Sequence, residues 1–192
     1  MIFETFQAQR LIEDAEKIAI SEGENYLTAY QEFIEYFKGI DILTRHNIII
    51  GISFTYSWMP TILDLHSEKL ENAADILNSA KQGHRPSVTE LEILKTCFNN
   101  SLVGSSKLLH FINPEIFAIW DSRVYRYLFK HEPYSYRVEN ADTYLEYLAY
   151  CDDIIQSLAF DRLHNVVEKK VGYKISKMRA IELIFFYNGA KS

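Results

Sequence analysis

Apolar residues recur along this chain at the three-and-four spacing of amphipathic helices. Leu11, Ile12, Ala15, Ile18 and Ala19 form a first stripe that closes near Gly23. Tyr26, Tyr30, Phe33, Ile34 and Phe37 form a second, closing near Gly39. Leu70, Ala73, Ala74 and Leu77 mark a third, ended by "QGHRP". "SVTE" at Ser87–Glu90 has the layout of a capping box and opens a helix with Val88, Leu91, Leu94 and Phe98 inward. The longest stripe runs from Tyr144 through Tyr147, Leu148, Cys151, Ile154, Ile155 and Leu158, with a continuation through Leu163 and Val166 towards Gly172. Met178, Ile181, Ile184 and Phe185 share one face of a last helix.

One segment dissents. Ile48, Ile50, Ile52, Phe54 and Tyr56 alternate in strand fashion. No second convincing strand exists to pair with it, and a lone strand leaves its backbone groups unmet. The segment 46–58 is therefore expected as a helix buried on most sides and stopped by Pro60. The pattern as a whole predicts an all-α protein, a compact globular helical domain over 1–192 with roughly eight to ten helices. The alternative organisation is two helical lobes with a cleft between them, divided at the turn-rich "KQGHRPS", Lys81–Ser87.

Composition narrows the class. Hydrophobic residues make up 48% of the 192, enough for a core without disulfide or metal staples. Two cysteines, Cys97 and Cys151, both among apolar residues, read as core fillers in a reducing compartment. The acidic start lacks a signal-peptide layout, and the greasiest run, "NIIIGISFTYSWM", is too short to span a bilayer. A cytoplasmic protein with no membrane partner is expected. Net charge is −6, which argues against a general polyanion binder. The imbalance is local: residues 1–96 hold 15 acids and 8 bases, a net −7, and 97–192 hold 11 acids and 12 bases, a net +1. Any nucleic-acid footprint belongs to the second half.

Most chemical motifs are missing. His46, His66, His84, His110, His131 and His164 show no helical ligand spacing, so no metal is expected. There is no phosphate-binding glycine loop, dinucleotide fingerprint or nucleophile elbow, and no cofactor is expected. What stands out is "SSKLLHFINPEIFAIWDSRVYRYLF", Ser105–Phe129. Ser105 can cap a short helix that Pro114 ends by about Asn113. Leu108, Leu109, Phe111 and Ile112 fill one sector of that helix, Lys107 sits at its edge, and His110 lies on the polar side. Asp121 is placed to cap the next helix. Five helical residues advance about 7.5 Å, and the eight-residue connection reaches up to roughly 26–29 Å, so a fold-back that brings carboxylate to amine is allowed though not required.

The order of lysine on a short helix, proline-bearing loop, apolar-aromatic approach and capping aspartate resembles the helix-hairpin-helix DNA glycosylase superfamily over residues 99–130. "LVGSSK" stands where that family usually reads GVGxK. The resemblance implies that Lys107 is a nucleophile towards the sugar C1′ of a flipped nucleotide. It implies that Asp121 supports charge developing there, and that DNA is a weakly held partner. An all-α architecture also suits the family. Arg123, Arg126 and Lys130 fall at spacings of three and four and make a cationic stripe suited to phosphates. Tyr56, Trp58, Trp120 and Tyr125 are the candidate pocket aromatics for an extruded base. Two other functions fit the same residues. One is a non-enzymatic helical interaction module with a degenerate site. The other is an enzyme on a small ligand in an inter-lobe cleft, with His110 as acid or base.

Overall fold

The computed structural model describes residues 7–20, 25–59 and 61–190. Gly23 and Pro60, the expected stops of the first stripe and of the 46–58 helix, lie outside the described residues, as does the side chain of Tyr26. The fold is all-α. Eleven α-helices occur among the described residues, with one 3₁₀ turn at Ser67–Lys69. They are α1 Ala8–Lys17, α2 Asn25–Lys38, α3 Arg45–Trp58, α4 Leu70–Lys81, α5 Val88–Cys97, α6 Leu102–Ile112, α7 Ser122–Phe129, α8 Ser135–Val138, α9 Ala141–Ile155, α10 Phe160–Val171 and α11 Lys177–Asn188.

The helices gather into two units, and the chain enters one, leaves for the other and returns. The first unit holds Met1–Glu22 and Ala118–Ser192, and the second holds Gly23–Phe117. The turn at Lys81–Ser87 lies inside the second unit, where it joins α4 to α5.

Each unit is built around one helix with almost no exposed face. In the second unit this is α6, which packs against α2, α3, α4 and α5, and of its residues Val103 alone is not buried. In the first it is α11, which packs against α1, α7, α9 and α10, with Met178–Phe185 buried without interruption. The polar residues of α11 survive burial by pairing: the Arg179 guanidinium bonds the Glu182 carboxylate one turn on.

Local chemistry sets the ends of the helices. The Ser87 box forms as read, with the Ser87 backbone N–H donating to Glu90 at 2.7 Å and Ser87 Oγ accepting from Glu90 N–H at 3.3 Å. These bonds hold the Glu90 carboxyl below its usual range. A second box opens α3, where Thr44 Oγ1 accepts from Asn47 N–H and Asn47 Oδ1 from Thr44 N–H. The strand-like alternation at 48–56 is thus helical. It is also one-sided rather than buried all round: Ile48, Gly51, Ile52, Thr55 and Tyr56 are buried, whereas Ile50 is exposed. The long stripe from Tyr144 is two helices. It breaks at 156–159, where Leu158 is fully exposed and Ser157 Oγ turns back to the Ile154 carbonyl.

In the first unit α1 is moored by Asp14. Its Oδ2 accepts from the Tyr127 hydroxyl at 2.8 Å and its Oδ1 from Lys17 at 2.9 Å. Asn188 on α11 donates to its backbone carbonyl at 3.0 Å. Burial pushes the Asp14 carboxyl up, but the hydrogen bonds from Lys17 and Tyr127 and the charges of Lys17 and Arg10 outweigh it and hold the group below its ordinary value. A carboxyl depressed in the folded state contributes stability above its unfolded pKa of about 3.9, and loses it as pH falls through the lower folded value. Tyr127→Phe is accordingly expected to cost about 2 kcal/mol at neutral pH. In urea melts the gap between variant and parent should shrink once pH drops below about 3.9. A gap that stays constant down to acid would show that Asp14 is not the charged partner.

Candidate functional site

The residues of the lysine–aspartate stretch are positioned by three short-range decisions. The turn between α5 and α6 is made by Asn99 and Asn100, both left-handed, with φ of 54° and 50°. Its first amide is occupied: Asn99 N–H donates to the Asp64 carbonyl at 3.1 Å, and Asn99 Oδ1 accepts from Asp64 N–H at 2.7 Å. The helix then starts at Leu102, earlier than the sequence suggested. Ser101, not Ser105, is the cap, its Oγ accepting from Gly104 N–H at 3.1 Å. Ser105 and Ser106 are interior residues whose hydroxyls donate back to the carbonyls of Ser101 and Val103, each at 2.9 Å.

Gly104 belongs to this helix and not to a hairpin. A Cβ at that position would stand 2.6 Å from the Tyr56 hydroxyl oxygen. Tyr56 is 2% exposed and donates to the Phe98 carbonyl at 2.9 Å, so α3 and α6 approach closely here because position 104 has no side chain. Asn113 caps the far end of α6 before Pro114, as the sequence implies.

Lys107 lies in the middle of α6 and is 7% exposed. Its Nζ sits over the Trp58 ring, 5.7 Å from the centroid. Trp58 is half-buried and joins a cluster contributed by three helices. Phe33 stacks on Phe54 with centroids 4.2 Å apart, and Phe111 meets Trp58 edge-on at 5.2 Å. Phe33 and Phe54, like Trp58, keep part of their surface open. The second unit therefore carries an amine beside a partly open aromatic shelf. Phe111 is the apolar neighbour the sequence places beside Lys107, whereas Phe33 and Phe54 were not expected at the site. They come from separate helices, and no spacing along the chain announces their meeting.

His110 is not on a polar face. It is fully buried, with Nδ1 against the Phe117 carbonyl, which can only accept. That places a proton on Nδ1, while Nε2 pairs with the Tyr30 hydroxyl at 2.8 Å. Both nitrogens hold the core of the second unit together.

Asp121 lies in the first unit and caps α7. Its Oδ1 accepts from Arg123 N–H at 2.9 Å and Val124 N–H at 3.0 Å. It is 8% exposed, and no donor among the described residues meets its Oδ2. Of the cationic stripe on α7, Arg126 is committed, its Nη1 donating to the Gly189 carbonyl at 2.8 Å. Arg123 and Lys130 are exposed; the former lies 4.4 Å from the Phe186 centroid and the latter 4.1 Å from that of Tyr127. Trp120 and Tyr125 are buried in the first unit, where the Trp120 indole donates to the Val138 carbonyl at 2.8 Å. Of the four expected pocket aromatics, Trp58 is the one with open surface, because Tyr56 and Trp120 satisfy their polar tips on backbone carbonyls inside the core.

Comparison of the chain with family models, curated proteins and solved structures gives no match in any of the three.

Proposed function

We propose that the protein is a DNA glycosylase-like enzyme acting on a flipped nucleotide, with Lys107 as the amine nucleophile and Asp121 as the carboxylate that supports charge at the sugar. The observation that carries this reading is the placement of Lys107. A lysine that only snorkels keeps its head in water from a helix edge. Lys107 instead sits near-buried in a helix lined by apolar and small residues, with its amine against the half-open ring of Trp58.

The chemistry requires a neutral amine. Its nitrogen bonds to C1′ and gives up a proton, while the C1′–N bond breaks and the base leaves with the bonding pair and takes up a proton. Ring opening then gives a Schiff base between Lys107 and the sugar. Asp121 would steady the cationic character at C1′ through the oxygen its helix does not use.

The test is borohydride trapping with abasic and base-damaged DNA. A covalent adduct is expected with the parent protein and none with Lys107→Ala. Asp121→Asn separates catalysis from capping, because asparagine caps a helix as well as aspartate. It should leave the melting temperature unchanged and slow adduct formation roughly 100-fold. No adduct from the parent, or one that survives Lys107→Ala, would overturn the reading.

A further inference from the structure

The connection from α7 to α9 carries a cluster that the lysine chemistry does not use. "EPYSYR" places Tyr134 and Tyr136 two residues apart beyond Pro133, with Arg137 next. Tyr134 is 56% exposed and Tyr136 70%. Two such rings in water are usually independent, but these lie parallel within 7°, with centroids 6.0 Å apart. Arg137 fixes them. Its guanidinium carbon is 5.4 Å from each centroid, and its Nε donates to the Tyr136 hydroxyl at 2.9 Å.

An ordered stack of exposed rings with a guanidinium fastened alongside has two complementary features. The open ring faces suit another planar ring, and the guanidinium edge suits an anionic oxygen. The preorganisation matters because rings and cation are already ordered, so a ligand does not have to immobilise them. A ligand that repeats planar rings and phosphates along its length matches both at once. The half of the chain that holds the cluster is the half with a net positive balance, and just before it Arg123 on α7 and Lys130 at its C-terminal cap are exposed.

We propose that Tyr134, Tyr136 and Arg137 form a binding surface for single-stranded nucleic acid, with bases stacking on the tyrosines and a phosphate on the arginine. Paired bases hide their faces in the helix stack, so the surface favours unpaired over duplex strands. Its contacts are sequence-tolerant, since every base offers a ring face. With one fixed cation the salt dependence is shallow, about one to two phosphates. The surface stands apart from the Lys107 reading: trapping can fail while strand binding persists, and the reverse.

Fluorescence anisotropy with a labelled thymidylate strand of about twelve nucleotides, at low salt and with the full chain, tests it. The parent should bind the strand more tightly than a blunt duplex of equal length. Tyr134→Ala and Tyr136→Ala should each weaken binding about ten-fold, whereas Tyr134→Phe keeps the ring and binds like the parent. Arg137→Gln should weaken binding and reduce the salt slope by about one. These side chains are at the surface, and circular dichroism should show each variant folded. Absence of strand binding by the parent, equal affinity for duplex, or parent-like binding by the Tyr134→Ala, Tyr136→Ala double variant would overturn the proposal. Affinity for a phosphopeptide but not for the strand would overturn it as well.

Discussion

Trp120→Ala is expected to destabilise the first unit by about 4 kcal/mol, the cost of a large aromatic removed from a core plus the carbonyl it leaves unmet. The indole is fully buried, lies 5.1 Å from the Tyr147 ring and 6.0 Å from that of Tyr125, and donates to the Val138 carbonyl. Val138 ends the short α8, so the indole links the approach to α7 with the entry to α9. In a chain of this length the loss should lower the melting temperature by roughly 10 °C. Trp120→Phe keeps most of the volume and should cost about 2 kcal/mol, chiefly from the orphaned carbonyl. The same pair of variants distinguishes core from pocket. If Trp120→Ala melts like the parent but loses trapping with DNA, the side chain faces substrate and its core role is wrong.

Gly189→Ala should be nearly as damaging, by about 3 kcal/mol, although the backbone φ of −97° there is one that alanine adopts freely. A Cβ there would stand 2.0 Å from the Arg123 carbonyl oxygen and 2.8 Å from its carbon. Both are backbone atoms, so no side-chain rotation relieves the overlap, and α7 and α11 must separate. Arg126 would then lose its bond to the Gly189 carbonyl. Thermal melts of Gly189→Ala beside a Ser→Ala control at an exposed position would check this. Parent-like stability would mean that the two helices are not packed so closely. Because Asp121 caps α7, the variant should also perturb the carboxylate without touching it.

Much of the fold was readable because its signals are local. The Ser87–Glu90 box, the Asp121 cap and the stop before Pro114 depend on atoms within three or four residues, and each forms as the residue types dictate. The start of α6 was misplaced because Ser101 and Ser105 are both acceptable caps. The deciding feature is the left-handed pair at Asn99 and Asn100. The break between α9 and α10 was hidden because Leu158 continues the apolar spacing yet points to solvent. His110 misled for a related reason. A polar residue on a helical wheel reads as exposed unless its partner is known, and its partner, Tyr30, lies 80 residues earlier. The aromatic shelf around Trp58 draws on α2, α3 and α6, so only tertiary packing reveals it.

The looped path of the chain has a consequence for its synthesis. The second unit is one unbroken segment and has all its residues once Phe117 has been made. The first unit is not: Asp14 on α1 is made before the inserted segment, yet it bonds Tyr127, 113 positions later, and Asn188, 174 positions later. At about 5–20 residues per second, α1 waits on the order of ten seconds for its neighbours while the inserted segment is already folding. α1, synthesised before the inserted segment, is thus locked in place after it.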